Sequence, residues 1–367
     1  MMSLASRSAS SVPLLPEGQF PDGNRPVTHR YIGQPLQAGI LTKSRVAFLV
    51  FVAVAVAACN DAPPAPVSVT DRVHSLPLGT RDPVLVGAGD IAQCYQPDNP
   101  TNITPPELTG AESTAVLLDG IPGTVMAVGD NAYEFGSSAD YALCYDPTWG
   151  RHKERTRPAT GNHEYMTPGA AGYFGYFGEA AAPPTGYYSY DLGAWHVIVL
   201  NSMPQWTACQ PAPTSPDEGR ACLGDVAQRD WLAADLAAHR QRCTVAYFHH
   251  PRYSSGMHGS QYEMQQFWDL LYGAGVDLVV SGHDHLYERF APQDPEGHLD
   301  TRRGIRQITV GTGGAALYPF TTVLPNSAVR NNSTHGVLEL TLGARRYAWT
   351  YIAVGGTIVD SGTSSCH

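Results

Sequence analysis

Five short polar motifs, each set behind a short apolar run, constrain this chain more than any other feature. They are Gly89–Asp90, Gly129–Tyr133 (Gly-Asp-Asn-Ala-Tyr), Gly161–Glu164 (Gly-Asn-His-Glu), His249–Pro251 (His-His-Pro) and Gly282–His285 (Gly-His-Asp-His). Apolar runs recur at Val84–Ala88, Thr124–Val128, His196–Leu200, Thr244–Phe248, Asp277–Val280, Ile305–Val310, Val337–Leu342 and Tyr347–Ala353. Most are rich in Val and Ile, and several are apolar throughout, which predicts strands buried on both faces. Helical patterns lie between some of them. Asp225–Arg240 opens with a capping-box spacing and stacks Leu232 on Leu236, and Glu107–Leu118 is a fainter pattern. Ser260–Tyr272 opens with Ser-Gln-Tyr-Glu and sets Met264, Phe267, Trp268 and Leu271 on one core-facing stripe. Strands alternating with helices, then strands closing the chain, predict a layered α/β sandwich with mixed β-sheets. In such folds the loops at the carboxyl ends of strands carry the site. Asp90, Asp130, Asn162, His249 and His283 all fall where those loops belong.

With 43% hydrophobic and 15% charged residues, the chain can bury one large core, expected over residues 67–367. The formal charge of −10 argues against nucleic acid or an anionic membrane face as partner. An anionic substrate then needs local positive charge, which bound metals can supply. Lys43 and Arg45 precede an apolar run, Val46–Ala58, ending in Val-Ala-Ala-Cys. This pattern over residues 41–58 predicts a secretory signal and is short for a membrane span. Cys59 after small residues resembles a bacterial lipobox, which would make it a lipidated first residue and the only membrane attachment. An ordinary signal peptide with an incidental Cys and a short anchor are the alternatives. Residues 59–66 read as a Pro-rich tether, and residues 1–40, rich in Ser, Pro and Gly, as a non-native or disordered extension upstream of the true start. Loss of residues 1–58 removes five Lys/Arg and two Asp/Glu, taking the charge from −10 to −13. Localisation is expected to be periplasmic or at the cell surface as a lipoprotein, otherwise secreted.

Six cysteines remain after Cys59, enough for three disulfides in an oxidising compartment. Cys209 and Cys222 flank a Pro/Asp/Gly loop and form the preferred pair. Cys94–Cys144 and Cys243–Cys366 are the remaining pairing. No CxxC spacing occurs, which argues against a zinc ribbon or thioredoxin-type site.

The motifs offer carboxylates, imidazoles, one amide and one phenol, a ligand set for two metal ions sharing one site. One carboxylate must bridge, and Asp130 is the natural bridge because further candidates flank it on both sides. His283 and His285 alternate along an extended segment and can reach different metals. Tyr133 discriminates: a phenolate is a hard ligand suited to Fe(III), whereas zinc more usually takes His, Cys or carboxylate.

In this order the motifs resemble those of the calcineurin-like metallophosphoesterases, and within them the purple acid phosphatase branch. Most of that superfamily has Asp-x-His in the first motif. Here it is Asp90-Ile91-Ala92, and the second motif supplies Tyr133 instead, as in the purple branch. The resemblance spans roughly Val84–Thr312 and implies a four-layer α/β/β/α sandwich. It implies that Asp90, Tyr133 and His285 hold Fe(III), that Asp130 bridges, and that Asn162, His249 and His283 hold a divalent ion (Fe, Zn or Mn). His249 is chosen over His250 because the family's ligand stands two residues before proline. His163 is similar to a phosphate-contacting histidine, and His258 to a second one that could protonate the leaving group, with a plain surface-loop histidine as the alternative. Glu164 and Asp284 are expected to orient ligands rather than to react.

The implied activity is hydrolysis of phosphate monoesters on a small phosphorylated substrate, with metal-bound hydroxide attacking phosphorus in line. A phosphodiesterase or nucleotidase with the same two metals is the alternative, since substrate choice lives in variable loops such as 92–106 and 136–153. A catalytically silent, metal-containing surface binding protein is the distant alternative; an intact His163 speaks against it. The N-terminal β-sandwich of plant members is not expected, because only about 25 residues separate Cys59 from the first strand. The remaining histidines have bland readings: His196 packed or hydrogen bonded, and His152, His239, His298 and His335 solvated. The run Tyr173–Phe177 reads as packing more than as a pocket wall. Gly311–Gly314 lacks the Walker spacing and Lys and reads as a tight turn. The sequence does not fix oligomeric state.

Overall fold

Segments that are apolar at every position are stable only where both faces are covered, and here two stacked sheets and their helices cover them. The computed structural model describes residues 82–96, 99–105, 108–239 and 243–367. The expected extension, signal segment, Cys59 and tether lie outside those residues, so the readings made of them stand as expectations. Among the described residues no helix is long and apolar enough to cross a membrane.

Strands are numbered along the chain. The first sheet has six, in the order β15 (Ile358–Ser365), β14 (Arg346–Ala353), β13 (Gly336–Gly343), β1 (Val84–Ala88), β4 (Thr124–Val128) and β5 (Thr156–Ala159). Here β1, β4 and β5 run parallel, while β13, β14 and β15 form an antiparallel meander. The second sheet has seven, in the order β12 (Ser327–Asn331), β10 (Tyr287–Phe290), β11 (Arg306–Val310), β9 (Leu278–Ser281), β8 (Cys243–Tyr247), β7 (Trp195–Val199) and β6 (Tyr188–Leu192). Its centre, β11, β9, β8 and β7, is parallel, and its edges are antiparallel. A small hairpin joins β2 (Tyr95–Gln96) to β3 (Asn99–Ile103).

The main core lies between the sheets, where Leu85, Met126 and Leu340 share one cluster with Val197, Val245, Val280 and Ile308. The helix Gly110–Asp119 adds Ala111, Ala115 and Leu118 to it. A second cluster joins Ile198, Ala246 and Val279 of the other sheet to Leu232, Phe267, Trp268 and Leu271 on the helices Val226–Ala238 and Gln265–Ala274. The result is the expected α/β/β/α layering with mixed sheets.

Several local expectations shift. The helix expected from Glu107 starts at Gly110, because Thr109 caps it by accepting from Glu112 N at 3.1 Å. The helix expected from Ser260 starts as a 3-10 turn at Tyr262–Met264 and becomes α-helical at Gln265. Ser260 does not cap it; its Oγ accepts from Ser254 N instead. The stripe Met264, Phe267, Trp268 and Leu271 is fully buried. His152, expected in solvent, is buried with Nε2 3.3 Å from Ala115 O, and His335 is half-buried against Ala315 O. Tyr173 and Phe177 are buried in an aromatic cluster with Tyr141 and Tyr145, which makes that run packing. All three disulfides pair as expected: Cys94–Cys144, Cys209–Cys222 and Cys243–Cys366.

Candidate metal centre

The carboxyl ends of parallel strands from both sheets converge at one place. Asp90 follows β1, Asp130 follows β4, Asn162 follows β5, His249 follows β8, and His283 and His285 follow β9. Backbone bonds tie these loops together: Asp90 N donates to Gly129 O (3.0 Å), Gly282 N to His249 O (3.0 Å), and Gly89 N to Val310 O (2.9 Å), the last crossing between sheets. Asp90, Asp130 and His283 adopt φ of 60°, 49° and 71°. Left-handed conformations cost non-glycine residues about 1–3 kcal/mol each, and their clustering here marks a functional site. The motif glycines have a steric cause. A Cβ on Gly161 would sit 2.1 Å from Asp130 Oδ1, and one on Gly282 would sit 2.6 Å from Asp90 Oδ2.

Two groups of donor atoms share one oxygen. Tyr133 Oη lies 3.0 Å from Asp90 Oδ1 and 3.1 Å from His285 Nε2, and His285 Nε2 lies 3.2 Å from the same Asp90 oxygen. His249 Nε2 lies 3.2 Å from Asn162 Oδ1 and 3.2 Å from Asp130 Oδ2. That Asp130 oxygen is also 3.2 Å from Tyr133 Oη, so it touches both groups. The His283 ring is 5.1 Å from that of His249, on the second group's side. His250 has Nδ1 2.7 Å from Ser202 Oγ, its ring stacks on Trp206, and that ring stands 4.6 Å from His283.

A surrounding shell orients the donors. His249 Nδ1 meets Val128 O at 3.0 Å and His285 Nδ1 meets Ala316 O at 2.7 Å, which turns both Nε2 atoms inward. Glu164 accepts from the backbone N–H of Asp130, Asn131 and Gly161. Asp284 accepts from His258 N (2.9 Å) and from Ser254 Oγ. Both carboxylates thus hold backbone of the loops that carry the donors.

His163 sits at the edge, its Nδ1 2.6 Å from Glu134 O, its Nε2 3.8 Å from Asp130 Oδ2 and its ring 4.3 Å from that of Tyr133. His258 is exposed on its loop, yet its ring lies parallel to His283 at 4.4 Å. Sequence reasoning missed Tyr318, whose ring stacks face to face on His285 at 3.9 Å. It also missed Gly313, whose N–H donates to Gly89 O beside the first carboxylate. Only the glycine run pointed there.

The electrostatics fit cations. Asp90 and Asp130 are buried, and among the described residues the ion pairs of this cluster join carboxylates to imidazoles rather than to Lys or Arg. Burial opposes ionisation of Asp130, but His249 and His163 outweigh it and hold its carboxyl well below the ordinary range. Burial disfavours a charged His249, yet Asp130 and Asp90 push its imidazole up to about 9. Burial, then the neighbouring carboxylates, push the Tyr133 hydroxyl far above its ordinary value. Burial and the adjacent histidines push His283 well down, leaving a neutral imidazole free to donate a lone pair. Buried carboxylates that lean on imidazolium protons, beside a phenol that ionises only near positive charge, suit metal ions replacing those protons.

Comparison with known proteins agrees with this geometry. Residues 110–287 match the family model for calcineurin-like phosphoesterases, a stretch that begins after Asp90 and ends just past His285. Purple acid phosphatase 22 of Arabidopsis thaliana is 32% identical over 181 residues, 45% of this chain and 36% of that protein. The acid phosphatase of Aspergillus ficuum is 29% identical over 153 residues, covering 32% and 25%. Purple acid phosphatase PPD1 from yellow lupin seeds shares the fold, with a TM-score of 0.56, 20% identity, and coverage of 78% of this chain and 54% of that one. So does GAP50, the anchor in the inner membrane complex of Plasmodium, at 0.56 and 12%, covering 78% and 90%. The chain spans about a third of the length of the plant relatives it matches. In fold, donor set and a family match over just under half of its length, the chain is similar to the calcineurin-like phosphoesterases. The relatives it resembles are purple acid phosphatases and acid phosphatases.

Proposed function

We propose that this chain is a metal-dependent hydrolase of phosphate monoesters with a dinuclear centre. Asp90, Tyr133 and His285 would hold Fe(III), and Asn162, His249 and His283 a divalent ion (Fe, Zn or Mn). One observation carries the reading: a single oxygen, Asp130 Oδ2, stands 3.2 Å from a donor atom of each group, the position a bridging carboxylate requires. Bound there, two cations would supply Lewis acidity toward a phosphate group and acidify coordinated water.

The protein's own groups do the rest. With Nδ1 donating to Glu134 O, His163 can donate from Nε2 only as imidazolium, the form that would meet a phosphoryl oxygen. His258, which lies against His283 and is open to solvent, would protonate a leaving alkoxide. Asp284 holds the backbone of that loop at His258. The domain is taken as residues 67–367 behind a cleaved signal and tether. Three disulfides support an exported protein, with Cys59 as the proposed lipid anchor.

The test is a visible absorption spectrum of the purified domain with metal analysis on the same sample, followed by a panel of mono- and diesters. A tyrosinate-to-iron charge-transfer band, absent in Tyr133→Phe, with monoester turnover is the expected result. A colourless protein holding two divalent ions and preferring diesters would overturn both the iron assignment and the monoester assignment. Asp130→Ala is expected to lose both metals; a variant that kept both would refute the bridging role.

A further inference from the structure

Tyr318 reaches the metal centre from outside the five motifs, on the segment between β11 and β12. Hydrogen bonds lace that segment to the motif loops. Gly313 N donates to Gly89 O and Ala315 N to Asp90 O, both at 2.9 Å. Ala316 O meets His285 Nδ1 at 2.7 Å, and Tyr318 N donates to His285 O at 2.9 Å. Further on, Thr321 N donates to Ser255 O at 2.9 Å, on the loop that carries His258. Bonds to three separate loops make this segment a fixed wall of the centre.

The Tyr318 ring covers one face of His285, with centroids 3.9 Å apart and planes at 10°, while Tyr133 meets the same imidazole edge-on at 5.9 Å. Tyr318 also meets the His258 ring at 5.5 Å and 64°. Stacking accounts for an aromatic ring at this position but not for its hydroxyl, since phenylalanine would stack as well. A buried tyrosine hydroxyl usually finds a partner. Tyr318 is half-buried, and among the described residues nothing hydrogen-bonds to its hydroxyl. Burial, then the charges of Asp90, Asp130 and Glu134, push the pKa of that hydroxyl up to about 12. Asp90 belongs to the first donor group, Asp130 touches both, and Glu134 O is the partner of His163. Carboxylates from both sides of the centre thus act on the hydroxyl, which puts it at the mouth of the site.

A bound phosphoryl group would supply the partner. It presents several anionic oxygens, and the ion pairs of this cluster offer imidazoles rather than Lys or Arg to meet them. A hydroxyl that donates to an anionic oxygen forms a charge-assisted hydrogen bond, roughly twice as strong as a neutral one.

We propose that Tyr318 is a substrate-contacting residue of this centre: its hydroxyl donates to a phosphoryl oxygen, and its ring positions His285. The role rests on the phosphatase reading, since it takes phosphate as the group bound.

The experiment compares the metal-loaded full chain with Tyr318→Phe and Tyr318→Ala. Metal content, affinity for inorganic phosphate by calorimetry, and monoester turnover are measured on each. Tyr318→Phe keeps the ring and is expected to hold both metals while binding inorganic phosphate about 10- to 100-fold more weakly. Its KM should rise with that loss, and kcat should change less. Tyr318→Ala is expected to lose phosphate affinity to the same degree and, with His285 released, metal affinity as well. Unchanged phosphate affinity in Tyr318→Phe overturns the proposal, and so does loss of metal from that variant. A Tyr318→Ala protein that holds metal as tightly as the wild type overturns the positioning of His285. A wild type that binds phosphate yet hydrolyses no monoester counts against the phosphatase reading alone, because the Tyr318→Phe comparison is read from binding.

Discussion

Glu164 shows how one residue can govern a site without touching substrate. Its carboxylate collects the N–H groups of Asp130 (3.0 Å), Asn131 (2.8 Å) and Gly161 (2.7 Å) and the hydroxyl of Tyr141 (3.1 Å). It thereby fixes the left-handed turn that presents Asp130 and joins the second motif to the third. Burial and the charge of Asp130 push its pKa up, and the backbone donors pull the other way. Glu164→Ala would strand those donors in a dry interior and is expected to cost about 3–5 kcal/mol of stability. Metal affinity should fall with it, because Asp130 loses its support. Urea denaturation of the variant settles the point: a loss below about 1 kcal/mol would contradict this account. The residues legible in the sequence were those whose type and neighbours state their chemistry, such as Asp90, Tyr133 and the two histidines of Gly282–His285. Tyr318 was not legible. Its role is a ring placed on His285 by a loop that returns after β11, and a lone tyrosine in a loop carries no mark of its long-range neighbour.

At the scale of elements, strands apolar throughout were found to within about a residue, since burial on both faces leaves few other options. The missed strands, the β2–β3 hairpin and β5, β6, β10, β12 and β15, are short, polar or at sheet edges, and β6, β12 and β15 leave much of their length outside the core. β15 reads Ile-Val-Asp-Ser-Gly-Thr-Ser-Ser and resembles a loop by composition. What makes it a strand is tertiary. Its Asp360 reaches the other sheet, accepting from Tyr287 Oη at 2.7 Å and Arg289 Nε at 2.6 Å on β10, and from Trp349 Nε1 at 3.2 Å on β14. Burial resists ionisation of Asp360, but Arg289 and Tyr287 outweigh it and hold the carboxyl below its ordinary range. A depressed carboxyl pKa adds stability above the unfolded value, near 3.9, and the contribution is lost as pH falls through the folded value. Asp360→Asn is therefore expected to lose about 2–3 kcal/mol at neutral pH. That deficit should shrink as the wild type is acidified below about pH 3.9. Urea midpoints of both proteins at neutral and acidic pH test this; a deficit constant across the range would count against the ion pair.

For the whole molecule, the disulfides lengthen in reach from Cys209–Cys222 (separation 13) through Cys94–Cys144 (50) to Cys243–Cys366 (123). The last joins the start of β8 to the segment after β15, and so fastens the edge of one sheet to the centre of the other. It lies at the amino end of β8, whereas His249 lies beyond the carboxyl end. Cross-links that close longer loops remove more freedom from the unfolded chain, about 3 kcal/mol for the shortest bridge here and nearly 5 kcal/mol for the longest. Replacing Cys243 and Cys366 by serine should therefore lower the melting temperature more than replacing Cys209 and Cys222. Turnover at room temperature should change little in either case, because the strand ends that gather the metal ligands are tied by backbone bonds between Gly89 and Val310 and between Gly282 and His249. The same reasoning bears on where the protein works. In a reducing compartment it would forfeit all three bridges at once, a loss comparable to the 5–15 kcal/mol by which folded domains are stable. Melting curves with and without reductant, with activity measured before heating, test both points. A reduced protein that melts with the oxidised one would remove the argument for export, and a reduced protein inactive while still folded would show that the bridges shape the site itself.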